Sequence, residues 1–284
     1  MLHDYYNLTK PGIIYGNAIT LLAGFFLASH GHINFWLLIS ALLGLSLVIA
    51  SGCVFNNIMD RGLDAKMDRT KQRAIVTGKI PISRAVIFGT VLLILGVVVL
   101  WRWTNVLTLD VALIGWVVYV ALYTLLKPKT VHATVIGSIA GATPPVVGYT
   151  AITNRFDLGA LLLFLILVLW QMPHFYAIAI RRQNEYAAAG VPVLPIKSGV
   201  KFTKITMLIY IFAFTLAAVH LVRYHYAGYT YLVAALLLGL IWLILGLKGF
   251  GANDDAAWAK KMFLFSLVVL TVLSIALMFN AVLP

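Results

Sequence analysis

Apolar residues run along this chain in blocks too long for the interior of an ordinary soluble domain. Nine blocks stand out, at about 12–29, 35–55, 81–100, 106–126, 131–150, 158–180, 202–222, 227–247 and 258–282. Each is close to the roughly 20 residues a helix needs to cross the hydrocarbon of a bilayer. Lipid offers no partner to an open backbone, so the blocks are expected to be helices throughout. The expected fold class is an all-α integral membrane protein with nine transmembrane helices, built as a single domain over residues 1–284.

The polar connections alternate in charge. Eighteen of the 21 Lys and Arg fall before the first block or after the second, fourth, sixth and eighth; Arg102, Arg155 and Arg223 alone lie on the other side. The positive-inside rule then sets the N-terminus in the cytoplasm and the C-terminus outside. The two largest connections, about 56–80 and 181–201, share the cytoplasmic side and lie four spans apart, as two related halves would place them, although no residue-level repeat is visible. The first block is read as an uncleaved span, because the charge alternation holds only if it stays.

Composition supports the membrane reading: 62% of residues are hydrophobic and 11% charged, against about 45–50% and 25% in soluble domains. The single Cys53 excludes a disulfide framework and a thiolate metal cluster. The net charge of +12 is accounted for by topology and does not call for nucleic acid.

Candidate chemistry concentrates where the second block ends. Asn56, Asp60, Asp64 and Asp68 recur every four residues, and on a helix each such step drifts by only about 40°. Like charges at that spacing cost a helix roughly 0.2–0.5 kcal/mol per pair, and none of these Asp has a basic residue four positions later. A divalent cation would turn repulsion into attraction. Mg²⁺ takes oxygen ligands, commonly one or two carboxylates plus substrate phosphates. The basic run Arg69, Lys71, Arg73 suits those phosphates. The plainer alternative is a solvated loop helix that sets membrane orientation, which would need the Lys and Arg but not the Asp stripe.

A second concentration is WQMPHFYAIAIRRQNEY, Trp170 to Tyr186. His174 sits about two turns inside the sixth span, and an ionisable group at that depth is functional by default; the alternative is a packing hydrogen bond to a neighbouring helix. Trp170, one turn away on the same face, would wall a flat pocket. Pro173 is expected to kink the helix. Arg181 and Arg182 would reach phosphate or snorkel to headgroups. Gly137 and Gly141 read as close helix packing. Tyr119 and Tyr123 read as pocket wall or interfacial belt, with the belt favoured for Tyr123. Asp254 and Asp255 read as a hydrated turn.

The Asn56–Arg73 stretch resembles the motif of the UbiA-type intramembrane prenyltransferases. TKPGIIYGN (Thr9–Asn17), ASGCVFNNIMDRGLDAKMDRT (Ala50–Thr70), GATPPVVGY (Gly141–Tyr149), WQMPHFYAIAI (Trp170–Ile180) and GVPVLP (Gly190–Pro195) are together similar to the branch of that family that farnesylates haem. Most of the family carries a second acidic motif after the sixth span. Here that place reads AIAIRRQNEY with only Glu185 acidic, as in the haem branch.

The resemblance implies a UbiA-type bundle. It also implies transfer of the farnesyl group of farnesyl diphosphate to a vinyl group of haem b, with addition of water. The implied roles are Mg²⁺ binding by Asn56, Asp60 and Asp64, and diphosphate binding by Arg69, Lys71 and Arg73. Arg181 and Arg182 would hold diphosphate or a haem propionate, and His174 with Trp170 would contact haem. The implied setting is the bacterial cytoplasmic membrane, with haem A synthase or terminal oxidase assembly factors as protein partners. Two alternatives stay open. A prenyltransferase for a quinone precursor would be favoured by an acidic pair after the sixth span. A transporter would place polar groups on broken helices at the midplane, whereas here they gather at the cytoplasmic end.

Overall fold

The need to satisfy every backbone group within lipid is met by helices alone: the computed structural model describes residues 2–279, and no strand is formed among them. Nine helices among the described residues are long and apolar enough to cross a membrane. They are α1 (Pro11–Ser29), α2 (Phe35–Met59), α3 (Ile82–Trp103), α4 (Val106–Leu126), α5 (Ala133–Thr153), α6 (Leu158–Arg181), α7 (Val200–Arg223), α8 (Tyr229–Gly251) and α9 (Asp255–Phe279). The expected end of the ninth block, 280–282, lies outside the described residues. A further short helix, Leu2–Leu8, precedes α1.

Polar residues between the blocks start the helices. Asn34, Asn105 and Asp157 accept from the first free backbone N–H groups of α2, α4 and α6, the groups a helix leaves unpaired at its N-terminus. One apolar core draws buried residues from all nine helices, including Phe25, Leu45, Leu100, Val147, Leu163, Phe214, Trp242 and Val269.

Three expectations are revised. First, α5 is not continuous. It breaks at Ala142 (φ −95°, ψ −5°) between Ala133–Gly141 and Thr143–Thr153, because Pro144 and Pro145 cannot donate to the preceding turn. Second, the backbone-to-backbone approach belongs to Gly24 and Gly148: a methyl group at either would collide with Pro145 O or Leu21 O on the facing helix. At Gly137 and Gly141 the space is filled by the Tyr123 ring and the Gln171 amide instead. Third, the turn before α9 is exposed at Asn253 and Asp254, as a hydrated turn would be, but its Asp255 also pairs with a buried lysine of α7. Lys204, 7% exposed, donates to Gly249 O and to the Asp255 carboxylate and lies 5.0 Å from the Trp258 ring. Asp254 caps α9 through Ala256 and Ala257. α6, by contrast, passes through Pro173 and remains helical to Arg181.

The connections after α2 and α6 dock on each other. Met67 from the first and Ala189 and Val191 from the second form a small apolar cluster, with Leu63, Tyr186 and Val193 against it.

Candidate active site

α2 carries Asn56 on its last turn and stops at Met59. Asp60 caps it through a backbone N–H to Asn56 O, and one short turn, Arg61–Asp64, follows. The expected stripe is therefore helical only as far as Asp64. Asp68 turns outward, its side chain 89% exposed and bonded to Lys71 at 2.6 Å. That bond holds the Asp68 carboxyl below the usual carboxylate range. Lys71 goes with it to the surface and does not line the cavity described below.

Asn56, Asp60 and Asp64 are 2%, 3% and 3% exposed, so they are buried groups and not residues of a wet interface. Burial of charge demands partners, and cations from elsewhere in the chain supply them. Lys127 Nζ lies 2.6 Å from Asp60 Oδ2, which also accepts from Asn56 Nδ2 at 3.2 Å. Arg73 Nη1 lies 2.5 Å from Asp64 Oδ2 and 3.0 Å from Asn57 Oδ1. Lys10 donates to Asn56 Oδ1, and Asn56 Nδ2 donates to Thr124 Oγ1 at 2.9 Å. The Asn56 carbonyl is thus already engaged by a cation. Asp60 Oδ1 and Asp64 Oδ1 accept no hydrogen bond among the described residues. Neither is sealed from space, since among those residues Trp242 Nε1 is the one fully buried side-chain polar atom without a partner.

These groups line one end of a cavity of about 800 Å³, within the range that holds small molecules and cofactors. Six basic side chains line it, Lys10, Arg69, Arg73, Lys127, Arg181 and Arg182, against the two carboxylates of Asp60 and Asp64. Glu185 sits behind, 3.1 Å from Arg182 and 4.0 Å from Arg69. Lys10 and Lys127 were counted in sequence only as topological charges; the TKPG piece was the one signal for Lys10. That residue holds a left-handed backbone (φ 52°, ψ 65°) directly before Pro11, a costly conformation that clusters at functional sites. Burial, with Arg73 and Lys127 nearby, pushes its ammonium down to about 8.

The rest of the wall is largely apolar, with aromatic rings set among aliphatic and small residues. α4 passes through a π-helical turn at Val118–Tyr123, a feature that often marks functional sites. Tyr119 and Tyr123 stack there with centroids 5.6 Å apart at 11°, and both line the cavity with Trp116. The belt expected at Tyr123 is therefore a cavity wall. His174 and Trp170 line the deeper part. Their rings stack at 4.9 Å and 24°, and Trp170 Nε1 donates to Ser266 O at 2.9 Å. Trp170 is 6% exposed, so its face supports His174 and is not an open platform for a flat ligand.

A fully caged metal does not fit: no group of three or more His, Cys, Asp or Glu able to hold one occurs among the described residues. A metal shared with phosphate does fit. Two carboxylates each offer one open oxygen, and Mg²⁺ commonly takes one or two carboxylates, phosphate oxygens and water.

A model described as the UbiA prenyltransferase family matches residues 17–268. A relative from Protochlamydia amoebophila, named protoheme IX farnesyltransferase, is 49% identical over 282 residues, covering 99% of this chain and 100% of its own. One of the same name from Yersinia pseudotuberculosis is 49% identical over 276 residues, covering 97% and 94%. Among solved structures, a digeranylgeranylglyceryl phosphate synthase superposes with a TM-score of 0.82 at 20% identity over 98% of both chains. A UbiA homologue from Archaeoglobus fulgidus bound to GPP and Mg²⁺ gives 0.64 at 14% identity, covering 97% and 99%. These two structures share the fold.

Proposed function

Because the chain belongs to the UbiA prenyltransferase family, we propose that it transfers the farnesyl group of farnesyl diphosphate to a vinyl group of haem b, with addition of water, giving haem o. The observation that carries this reading is the 49% identity, end to end, with a relative named protoheme IX farnesyltransferase. The cavity supports it by joining a cluster of cations to a largely apolar wall that carries aromatic rings and His174.

Asp60 and Asp64 would hold a Mg²⁺ ion together with the diphosphate, and that ion would supply positive charge against the charge growing on the leaving group. The chain's own residues do the rest. Lys10, Arg69, Arg73 and Lys127 receive the diphosphate and stabilise the negative charge that builds as its C–O bond to farnesyl breaks. Lys71, surface-bound with Asp68, takes no part. Asn56 orients Asp60 and is held by Lys10. The Tyr119, Tyr123 and Trp116 rings exclude water and present π-faces to the allylic cation. The vinyl electrons of haem b form the new C–C bond to the farnesyl carbon. Water adds to the cation left on the other vinyl carbon and its proton passes to solvent, leaving a hydroxyl. Arg181 and Arg182 bind the haem propionates. His174 meets the haem iron.

The working setting proposed is the bacterial cytoplasmic membrane. The N-terminus and the connections at 56–80 and 181–201 face the cytoplasm, one domain spans the chain, and both substrates enter from that side or from the bilayer. Haem A synthase and terminal oxidase assembly factors are the partners this product would serve. Mass spectrometry of haems extracted from membranes expressing the chain tests the reaction: a species heavier than haem b by one farnesyl group and one hydroxyl is expected. Its absence, with haem b and farnesyl diphosphate both present, would overturn the reading.

A further inference from the structure

We propose that Ser266, on α9, is the residue that positions the acceptor's ligand: it fixes His174 with its proton on Nδ1, so that Nε2 presents a lone pair to the cavity.

A serine hydroxyl has one proton to give. Ser266 Oγ lies 2.6 Å from Phe263 O, and a carbonyl oxygen only accepts, so the hydroxyl proton goes there. His174 Nδ1 lies 2.7 Å from the same Oγ and must therefore be the donor in that contact. In a neutral imidazole with Nδ1 protonated, Nε2 is an acceptor. The doubly protonated ring is disfavoured, because a charge among apolar walls needs a counter-charge. No carboxylate bonds to His174 among the described residues; its one polar contact there is Ser266. Nε2 makes no hydrogen bond within them and is not sealed, and His174 borders the cavity.

Ser266 acts on the ring a second way. Its backbone carbonyl accepts from Trp170 Nε1 at 2.9 Å, and Trp170 stacks on the imidazole. The Phe263 ring, one turn earlier on α9, lies 4.9 Å from the imidazole at 35°. One fully buried serine thus sets the tautomer through its side chain and the stacking partner through its backbone. Metal-ligating histidines are prepared in this way, with the far ring N–H committed to a fixed acceptor. The consequence for haem rests on the function proposed above. The tautomer does not.

The test has two arms on the same preparations. ¹⁵N-histidine-labelled protein without haem, in detergent, reports which ring nitrogen is protonated, with His174→Gln identifying the His174 signals. The expected result is a protonated Nδ1 and a bare Nε2 in the wild type, shifting toward a mixture in Ser266→Ala and returning in Ser266→Thr. A wild-type His174 protonated on Nε2, or a tautomer unmoved in Ser266→Ala, would overturn the proposal. The second arm is a ferric haem b titration followed at the Soret band, beside farnesyl diphosphate binding. Loss of the committed acceptor should weaken haem about 10–100-fold while diphosphate binding is unchanged. Unchanged haem affinity in Ser266→Ala would overturn the positioning role. A wild type that shows the tautomer but binds no haem would instead sink the haem reading and leave the proton assignment standing.

Discussion

Lys127 reaches across 67 residues of chain to place its ammonium 2.6 Å from the buried carboxylate of Asp60. Arg73 does the same for Asp64 at 2.5 Å. The acidic motif is thus held together by the protein's own cations before any metal or substrate arrives. Removing one partner of such a pair leaves an uncompensated buried charge, at a cost of about 3–5 kcal/mol. Lys127→Met should therefore lower the thermal unfolding temperature in detergent. Adding Asp60→Asn should recover most of that stability but none of the turnover. A Lys127→Met variant that unfolds with the wild type would show the pair to be energetically idle.

The open oxygens of Asp60 and Asp64 lead to a second expectation. Asp60→Asn and Asp64→Asn should each reduce farnesyl transfer by about 10²-fold or more, the scale of one contact to a developing charge, and chelator should stop the wild type. Lys71→Ala should leave turnover unchanged, because that side chain is spent on Asp68 at the surface. A turnover assay of the three variants, with and without added Mg²⁺, decides it. Near-normal activity in either Asp variant removes the metal role from the motif.

Lys10 should give the enzyme an alkaline limb. With its ammonium pushed down to about 8 by burial, it is charged below that pH and neutral above it. A neutral amine attracts diphosphate less, so kcat/KM for farnesyl diphosphate, which reports the free enzyme, should fall as pH rises through about 8. For stability the sign is opposite. The unfolded chain binds this proton more tightly, so the group's contribution becomes more favourable as pH rises from about 8 toward the ordinary lysine value of about 10.4. Lys10→Arg, which cannot deprotonate, should flatten the limb. A wild-type profile flat between pH 7 and 10 would count against a role for Lys10 in diphosphate binding.

The contact of α1 with α5 allows a purely structural check. A methyl group at Gly148 meets the Leu21 backbone carbonyl, which cannot swing aside as a side chain end can. Gly148→Ala should cost about 1–3 kcal/mol, read as a lower unfolding temperature. Gly62→Ala, with nothing within 4 Å of the new atom, should unfold with the wild type. Equal behaviour of the two variants would mean that α1 and α5 separate more easily than their packing indicates.

The spans were legible because lipid enforces a single rule, that about 20 apolar residues make one helix. α4, for instance, begins and ends at Val106 and Leu126, where its apolar block does. The site was legible in part. Asn56, Asp60, Asp64, Arg69, Arg73, Arg181, Arg182, Trp170 and His174 all line one cavity, and each was singled out from spacing, depth or resemblance. Lys10 and Lys127 were not, because a topological charge and a site charge look the same in a one-dimensional pattern.

By itself, then, the sequence determined which segments cross the membrane and where the polar chemistry gathers, since both follow from local composition and period. The tertiary structure decided which groups touch. It took Asp68 and Lys71 out of the site, because the helix stops at Met59 and the chain turns to solvent. It brought Lys127 to Asp60 and Ser266 to His174 across 67 and 92 residues. Such contacts are set by how helices pack in three dimensions, where partners distant in sequence share one buried space and must satisfy one another's charges and protons.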